Sequence, residues 1–199
     1  MHSPSNFLEA CYNAAMPSRR GNLLLAGAEL RDPTFAQTVT LLVEHNREGA
    51  LGLVLNRPTQ TPVAEVWLQV EIDSPCQHDG LLYHGGPCKG PLMVLHTDMN
   101  YSQIQVTKEI YFTNDAEDVQ WLLEHQGDRI RCFIGYAGWG PDQLEAELDG
   151  GSWIVTPADH AQIFESRDEQ WFDLLQQINP AQAAILRNPG IVPPDPTLN

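Results

Sequence analysis

The chain has 199 residues, of which 26 are acidic and 11 basic, giving a formal net charge of −15 and a pI near 4.6. Attraction to a duplex or an anionic bilayer depends on Lys and Arg displacing counterions, so the composition disfavours direct binding to nucleic acid or membrane. A 42% hydrophobic fraction in a chain of single-domain length excludes general disorder.

Local basic density is low. The best candidates for a cationic patch are Arg19 with Arg20 and Arg129 with Arg131, and neither pair has the density of a nucleic-acid stripe. The four cysteines, Cys11, Cys76, Cys88 and Cys132, form no CxxC pair. The opening residues lack the basic and apolar regions of a signal peptide, and no run of ~18 apolar residues suggests a membrane span. A cytoplasmic protein with reduced thiols is expected.

In chain order, Phe7, Leu8, Cys11 and Tyr12 suggest one short amphipathic helix. The apolar run 21–27 suits a buried strand, and Asp32–Pro33 supplies a turn. Val39, Leu41 and Val43 alternate along one arm, and Leu51, Leu53 and Leu55 along another, so 38–56 is expected to be a β-hairpin around the polar loop HNREG. Thr61 followed by Pro62 predicts a capped helix start, with 71–80 as loop. Residues 81–86 and 91–97 read as a second strand pair, and 104–114 as one or two further strands.

Asn114 with Glu117 predicts a capped helix over 115–125. Residues 129–138 return to strand and enter a glycine-rich turn, Pro141 opens a short helix, and 152–156 is a strand. Thr156–Pro157 and Ser166 with Glu169 each predict a cap for a following helix, and 181–187 is a last helical piece. Four prolines among the last twelve residues argue for an extended tail from 188 to 199, outside a single domain spanning 1–187. Hairpins with helices between and after them indicate an α+β protein rather than a doubly wound sheet.

Candidate chemistry is sparse. Cys76, His78, His84 and Cys88 place four zinc-type ligands within thirteen residues. Their irregular spacing favours ordinary histidines and semi-buried thiols instead. The glycine-rich segments 84–87 and 135–140 match neither a dinucleotide fingerprint nor a Walker loop, and sharp turns with close packing around Trp139 explain them. No nucleophile elbow occurs. His45, His84 and His96 lie near strand ends and are the right kind of group for acid–base work. Arg57 follows Asn56 at a strand end and precedes Pro58, which biases it to extended backbone. It is expected either to bind a carboxylate or phosphate bidentately or, as the simpler explanation, to form an internal ion pair.

The segments 31–58, YHGGPC (83–88), VLHTD (94–98) and 135–159 resemble, in order and spacing, the YqgE/AlgH family. The likeness runs from about residue 21 to residue 172. It implies an α+β domain whose mostly antiparallel sheet curls into a pseudo-barrel, flanked by helices. It also brings a transcriptional-regulator label, linked to alginate control, that part of the family carries. This sequence departs from the family pattern at AGA (26–28), PLM (91–93) and GPDQLE (140–145). The second departure removes a positive charge near the second strand pair, and the first two put any anion site there in doubt. No helix-turn-helix with a basic recognition helix is visible.

The expected function is therefore that of a ligand- or protein-binding regulatory or accessory domain, without a cofactor, acting as a monomer or homodimer. A pocket is expected to draw on His45, Asn46, Asn56, Arg57, Gly85, Gly86, His96, Gly138, Trp139 and Gln143, with Arg57 orienting an anion. The competing readings are a hydrolase or isomerase using His45 or His96 as a base, and a regulator acting directly on DNA.

Overall fold

The computed structural model describes residues 17–69, 74–125, 129–165 and 169–188. The expected helix at Phe7–Tyr12, residues 71–73 of the expected loop, the Ser166 cap and the tail from 189 lie outside the described residues.

The strands are β1 (Asn22–Ala26), β2 (Val39–Asn46), β3 (Gly49–Val54), β4 (Pro58–Pro62), β5 (Leu81–His84), β6 (Cys88–His96), β7 (Ile104–Gln105), β8 (Tyr111–Thr113), β9 (Ile130–Trp139) and β10 (Trp153–Pro157). The helices are α1 (Val63–Trp67), α2 (Ala116–His125), α3 (Gln143–Asp149), α4 (His160–Phe164), α5 (Gln170–Ile178) and α6 (Pro180–Arg187). The main path of the sheet runs β10-β1-β2-β3-β9-β6-β8-β7, with β5 beside β9 and β4 beside β5. All its pairings are antiparallel except β5 with β9, and the path is open, so the sheet is a curled half-barrel.

The hairpin forms as expected, with a tighter turn. Asn46 pairs with Gly49, which leaves Arg47 and Glu48 as a two-residue loop. A register shift between Leu42 and Glu44 bulges β2 at Val43. Leu23, Leu24, Leu25 and Ala26 are all fully buried, so β1 is covered on both faces.

Strand β9 organises the sheet. Its first half lies between β5, where Leu82 pairs with Cys132, and β6, where Val94 pairs with Cys132. Its second half pairs with β3 through Ala50 and Trp139. The change of neighbour falls at Gly135, whose φ of +73° is a left-handed conformation that favours glycine. A Cβ there would lie 2.5 Å from Gly86 O, so two backbone segments meet with no room for a side chain.

Several local expectations are corrected. Residues 81–86 and 91–97 are not paired with each other, because β9 separates β5 from β6. The expected glycine-rich turn after 138 is strand through Trp139, kinked at Gly135. Residues 58–62 form β4, and Pro62 stands at the cap position of α1 rather than inside the helix. Asp115, not Asn114, caps α2 by accepting the N–H groups of Glu117 and Asp118 at 3.0 and 3.2 Å. Asp159, not Thr156, caps α4 in a capping box with Gln162.

Two apolar clusters hold the elements. The larger joins β1–β3, β9 and β10 to Ile163, Trp171, Leu174 and Leu175. The smaller gathers Val63, Trp67, Leu82, Val94 and Cys132 under α2, which contributes Val119, Leu122 and Leu123 at helical spacing. Each fully buried leucine of this kind contributes roughly 1.5–3 kcal/mol.

Candidate functional site at the Arg57 corner

The corner after β3 is fixed by hydrogen bonds in several directions. Leu55 N–H donates to Val39 O at 2.7 Å, and Val54 N–H to Gly85 O at 2.8 Å. The Asn56 amide oxygen accepts Val39 N–H at 2.9 Å, while its nitrogen donates to Gln37 O at 2.8 Å. One guanidinium N–H of Arg57 donates to Ala36 O at 2.7 Å. Gln37 itself has φ +57°, which is unfavourable for a residue with a side chain and persists because Asn56 and Arg57 hold the neighbouring carbonyls.

Facing this corner is the C-terminal helix pair. Trp171 donates its indole N–H to Ala26 O at 2.8 Å, which anchors α5. The Arg187 guanidinium lies 4.3 Å over the Phe172 ring and 3.3 Å from Glu169. Between the two walls is a polar depression of about 390 Å³ bordered by Gln37, Asn56, Arg57, Glu169, Phe172 and Arg187, so one carboxylate, paired with Arg187, also faces it. Arg57 is exposed, and among the described residues it forms no ion pair, so the internal ion pair expected for it is absent there.

Arg131 stands beside Arg129 in one of the two basic pairs that the sequence offers as candidates for a cationic patch. The pair is split: Arg129 is exposed, while Arg131 is 3% exposed. Its guanidinium donates to Leu55 O at 2.6 Å and to Ile163 O, and it lies 3.9 Å over the Tyr83 ring. No carboxylate pairs with it among the described residues, and its Nε has no partner. Burial pulls its pKa down, Tyr83 opposes this, and an arginine remains a cation regardless.

The other expected site residues occupy separate places. Asn46, Gly138 and Trp139 border a second groove together with Cys88 and Tyr136. Gly85 and Gly86 abut the backbone of Gly135 and Tyr136. Gln143 opens α3, its side chain accepting Gly140 N–H at 3.0 Å and donating to Glu147 at 2.9 Å.

His45 is buried, with Nδ1 accepting Arg19 N–H at 2.9 Å and Nε2 2.8 Å from a Glu145 oxygen. That network leaves the neutral ring no lone pair for a substrate. His96 is fully buried at the end of β6, where its ring nitrogens lie near the backbone of Asp98 and Tyr101 without a hydrogen bond of good geometry. Burial lowers its pKa from 6.5, with Asp98 and Asp118 partly opposing.

Among the described residues no cluster of three or more His, Cys, Asp or Glu could hold a metal. Of the four zinc-type candidates, His84 lies exposed on β5 and Cys88 borders the second groove. Cys76 points its thiol at His78 O, 3.4 Å away, and His78 is buried. A separate apolar cavity of about 250 Å³ opens between α1, the start of β6 and α2, lined by Val63, Trp67, Leu92 and Leu123.

The residues that sequence reasoning missed are Gln37, Phe172, Arg187 and the burial of Arg131. Only Arg131 carried a signal: a cation within the otherwise apolar run Ile130 to Phe133.

A curled, mostly antiparallel half-barrel flanked by helices defines the class as α+β. The chain belongs to the AlgH-like family (DUF179), whose profile matches residues 23–183. It is 38% identical over 157 residues to the UPF0301 protein CT0663 of Chlorobaculum tepidum, covering 75% of this chain and 81% of that one. It is also 38% identical over 156 residues to the UPF0301 protein AlgH of Pseudomonas aeruginosa, covering 75% and 82%. The solution structure of AlgH from P. aeruginosa superposes with a TM-score of 0.70 at 32% identity, over 90% of this chain and 99% of that one. The crystal structure of protein DIP2367 from Corynebacterium diphtheriae gives a TM-score of 0.66 at 22% identity, over 89% and 95%, a likeness of fold alone.

Proposed function

We propose that this protein is a small cytoplasmic accessory or regulatory domain that binds a ligand bearing a carboxylate or phosphate at the Arg57 corner. The observation that carries the reading is the juxtaposition across one polar depression of Arg57, with a single intramolecular hydrogen bond, and Arg187 stacked on Phe172. A planar guanidinium oriented by one backbone contact keeps further N–H groups for a bidentate oxyanion. In a chain of net charge −15, Arg57, without an ion pair among the described residues, faces a depression whose other charges are the paired Arg187 and Glu169, a local exception that a small anion can use and a long polyanion cannot.

Catalysis through His45 or His96 has little support, since one ring is saturated by Arg19 and Glu145 and the other is enclosed. Direct action on DNA is disfavoured by the charge. No helix among the described residues is long and apolar enough to cross a membrane. A second reading, recognition of a protein partner, draws on the apolar cavity beside α1 and on Leu68, 81% exposed at the end of that helix.

Thermal denaturation in graded inorganic phosphate and citrate tests the anion reading. A ligand at a hundred times its Kd stabilises by about 2.7 kcal/mol, and Arg57→Ala should abolish that increment, read against the variant's own ligand-free melting point. An equal increment in wild type and variant defeats the reading.

A further inference from the structure

We infer that Arg131 is the positioning residue of the Arg57 depression, joining its two walls from within the core and adding an uncompensated positive charge behind them. This rests on the anion-binding reading above. The connection is a continuous chain of contacts. On one side Arg131 holds Leu55 O, directly before Asn56 and Arg57. On the other it holds Ile163 O in α4. The preceding carbonyl, Gln162 O, accepts the side-chain N–H of Gln170 at 2.6 Å, and Gln170 is followed by Trp171 and Phe172 of the opposite wall.

A purely structural role explains this arrangement poorly. Removing a cation from water is expensive, and two carbonyl acceptors can be satisfied by a neutral donor without that desolvation cost. The chain has 26 acidic residues, yet among the described residues none pairs with Arg131. Its charge is balanced only by carbonyl dipoles and the face of Tyr83. Low-dielectric surroundings screen such a charge weakly, so its field reaches a neighbouring depression and favours an anion there. Without the guanidinium, the Leu55 carbonyl also loses the contact that ties the Arg57 corner to α4.

The test uses the full chain and compares wild type with Arg131→Met, Arg131→Lys and Arg57→Ala, titrating inorganic phosphate and citrate by calorimetry beside near-ultraviolet circular dichroism. Arg131→Met should keep the native aromatic signal and bind at least about fivefold more weakly, the lower range of coupling between separated groups. Arg131→Lys, which restores the charge but at most one carbonyl contact, should recover part of the affinity. Wild-type affinity in Arg131→Met, with binding lost in Arg57→Ala, overturns the role of Arg131 and leaves the anion site standing. Should Arg131→Met fail to fold, Arg131→Lys decides alone: unchanged affinity in both charge-retaining proteins at all salt concentrations refutes a positioning role. Failure of both anions to bind wild type removes the site and this inference together.

Discussion

The imidazole of His45 accepts the backbone N–H of Arg19 at 2.9 Å, so a residue of the first hairpin fastens the chain ahead of β1. Ser18 adds a hydroxyl hydrogen bond to His45 O at 2.8 Å. Because Nδ1 is the acceptor, the proton of the neutral ring sits on Nε2, facing Glu145 2.8 Å away. Long-range proton–nitrogen correlation should report this tautomer at neutral pH. His45→Ala should lower stability by about 1 kcal/mol in urea denaturation, since it strips a half-buried N–H and a partly exposed carboxylate of their partner.

Glu147 gathers the indole N–H groups of Trp139 and Trp153 on one oxygen, at 2.9 and 2.8 Å, while Gln143 donates to the other. Glu147→Ala leaves two largely buried indole donors unpaired and should cost about 2 kcal/mol or more. Guanidinium denaturation followed by tryptophan fluorescence measures it. Glu147→Gln, which keeps an acceptor oxygen, should lose less.

Burial of His96 sets a pH dependence with a definite sign. Its folded pKa is lowered below 6.5, so the unfolded chain binds the proton more readily. Its contribution to stability is complete above pH 6.5 and is lost as pH falls from there toward the folded value. Urea midpoints between pH 7.5 and 5.5 should therefore decline, and His96→Leu should remove about half or more of that decline. Asp98 and Asp118, the carboxylates that oppose the shift, and Tyr111, whose ring lies 6.1 Å away, should be left unchanged in that comparison.

Gly135→Ala forces a side chain into a φ of +73° and brings its Cβ within 2.5 Å of Gly86 O. Neither backbone segment can withdraw without breaking the β9 pairings on which β3, β5 and β6 depend. The expected loss is about 3 kcal/mol, the sum of backbone strain and overpacking. The melting temperature should fall by roughly 6–12 °C.

Local pattern was readable where one residue type settles the structure. Alternation at Val39, Leu41, Leu51 and Leu53 identified the hairpin, and the spacing of Val119, Leu122 and Leu123 identified α2. Caps were displaced by one to three residues because neighbours compete: Asn114 and Asp115 can both cap a helix, and only side-chain direction selects Asp115. Pairing between 81–86 and 91–97 was misread for another reason. Two adjacent apolar strands suggest a hairpin, and nothing local reveals that a strand beginning only at Ile130 enters between them. Of the expected site residues, Asn56 and Arg57 are adjacent in the chain and share the depression, whereas Arg187 and Phe172 reach it from the C-terminal helices.

By itself the sequence determined the α+β class, the first hairpin, the family likeness and the net negative charge, since all of these follow from periodicity, order and charge count. Only the tertiary structure decided that Arg131 is interior, that His45 is saturated, and that Arg57 meets the C-terminal helices. Burial and partnership are properties of contacts between distant segments, and no local periodicity encodes which carbonyl a guanidinium will find.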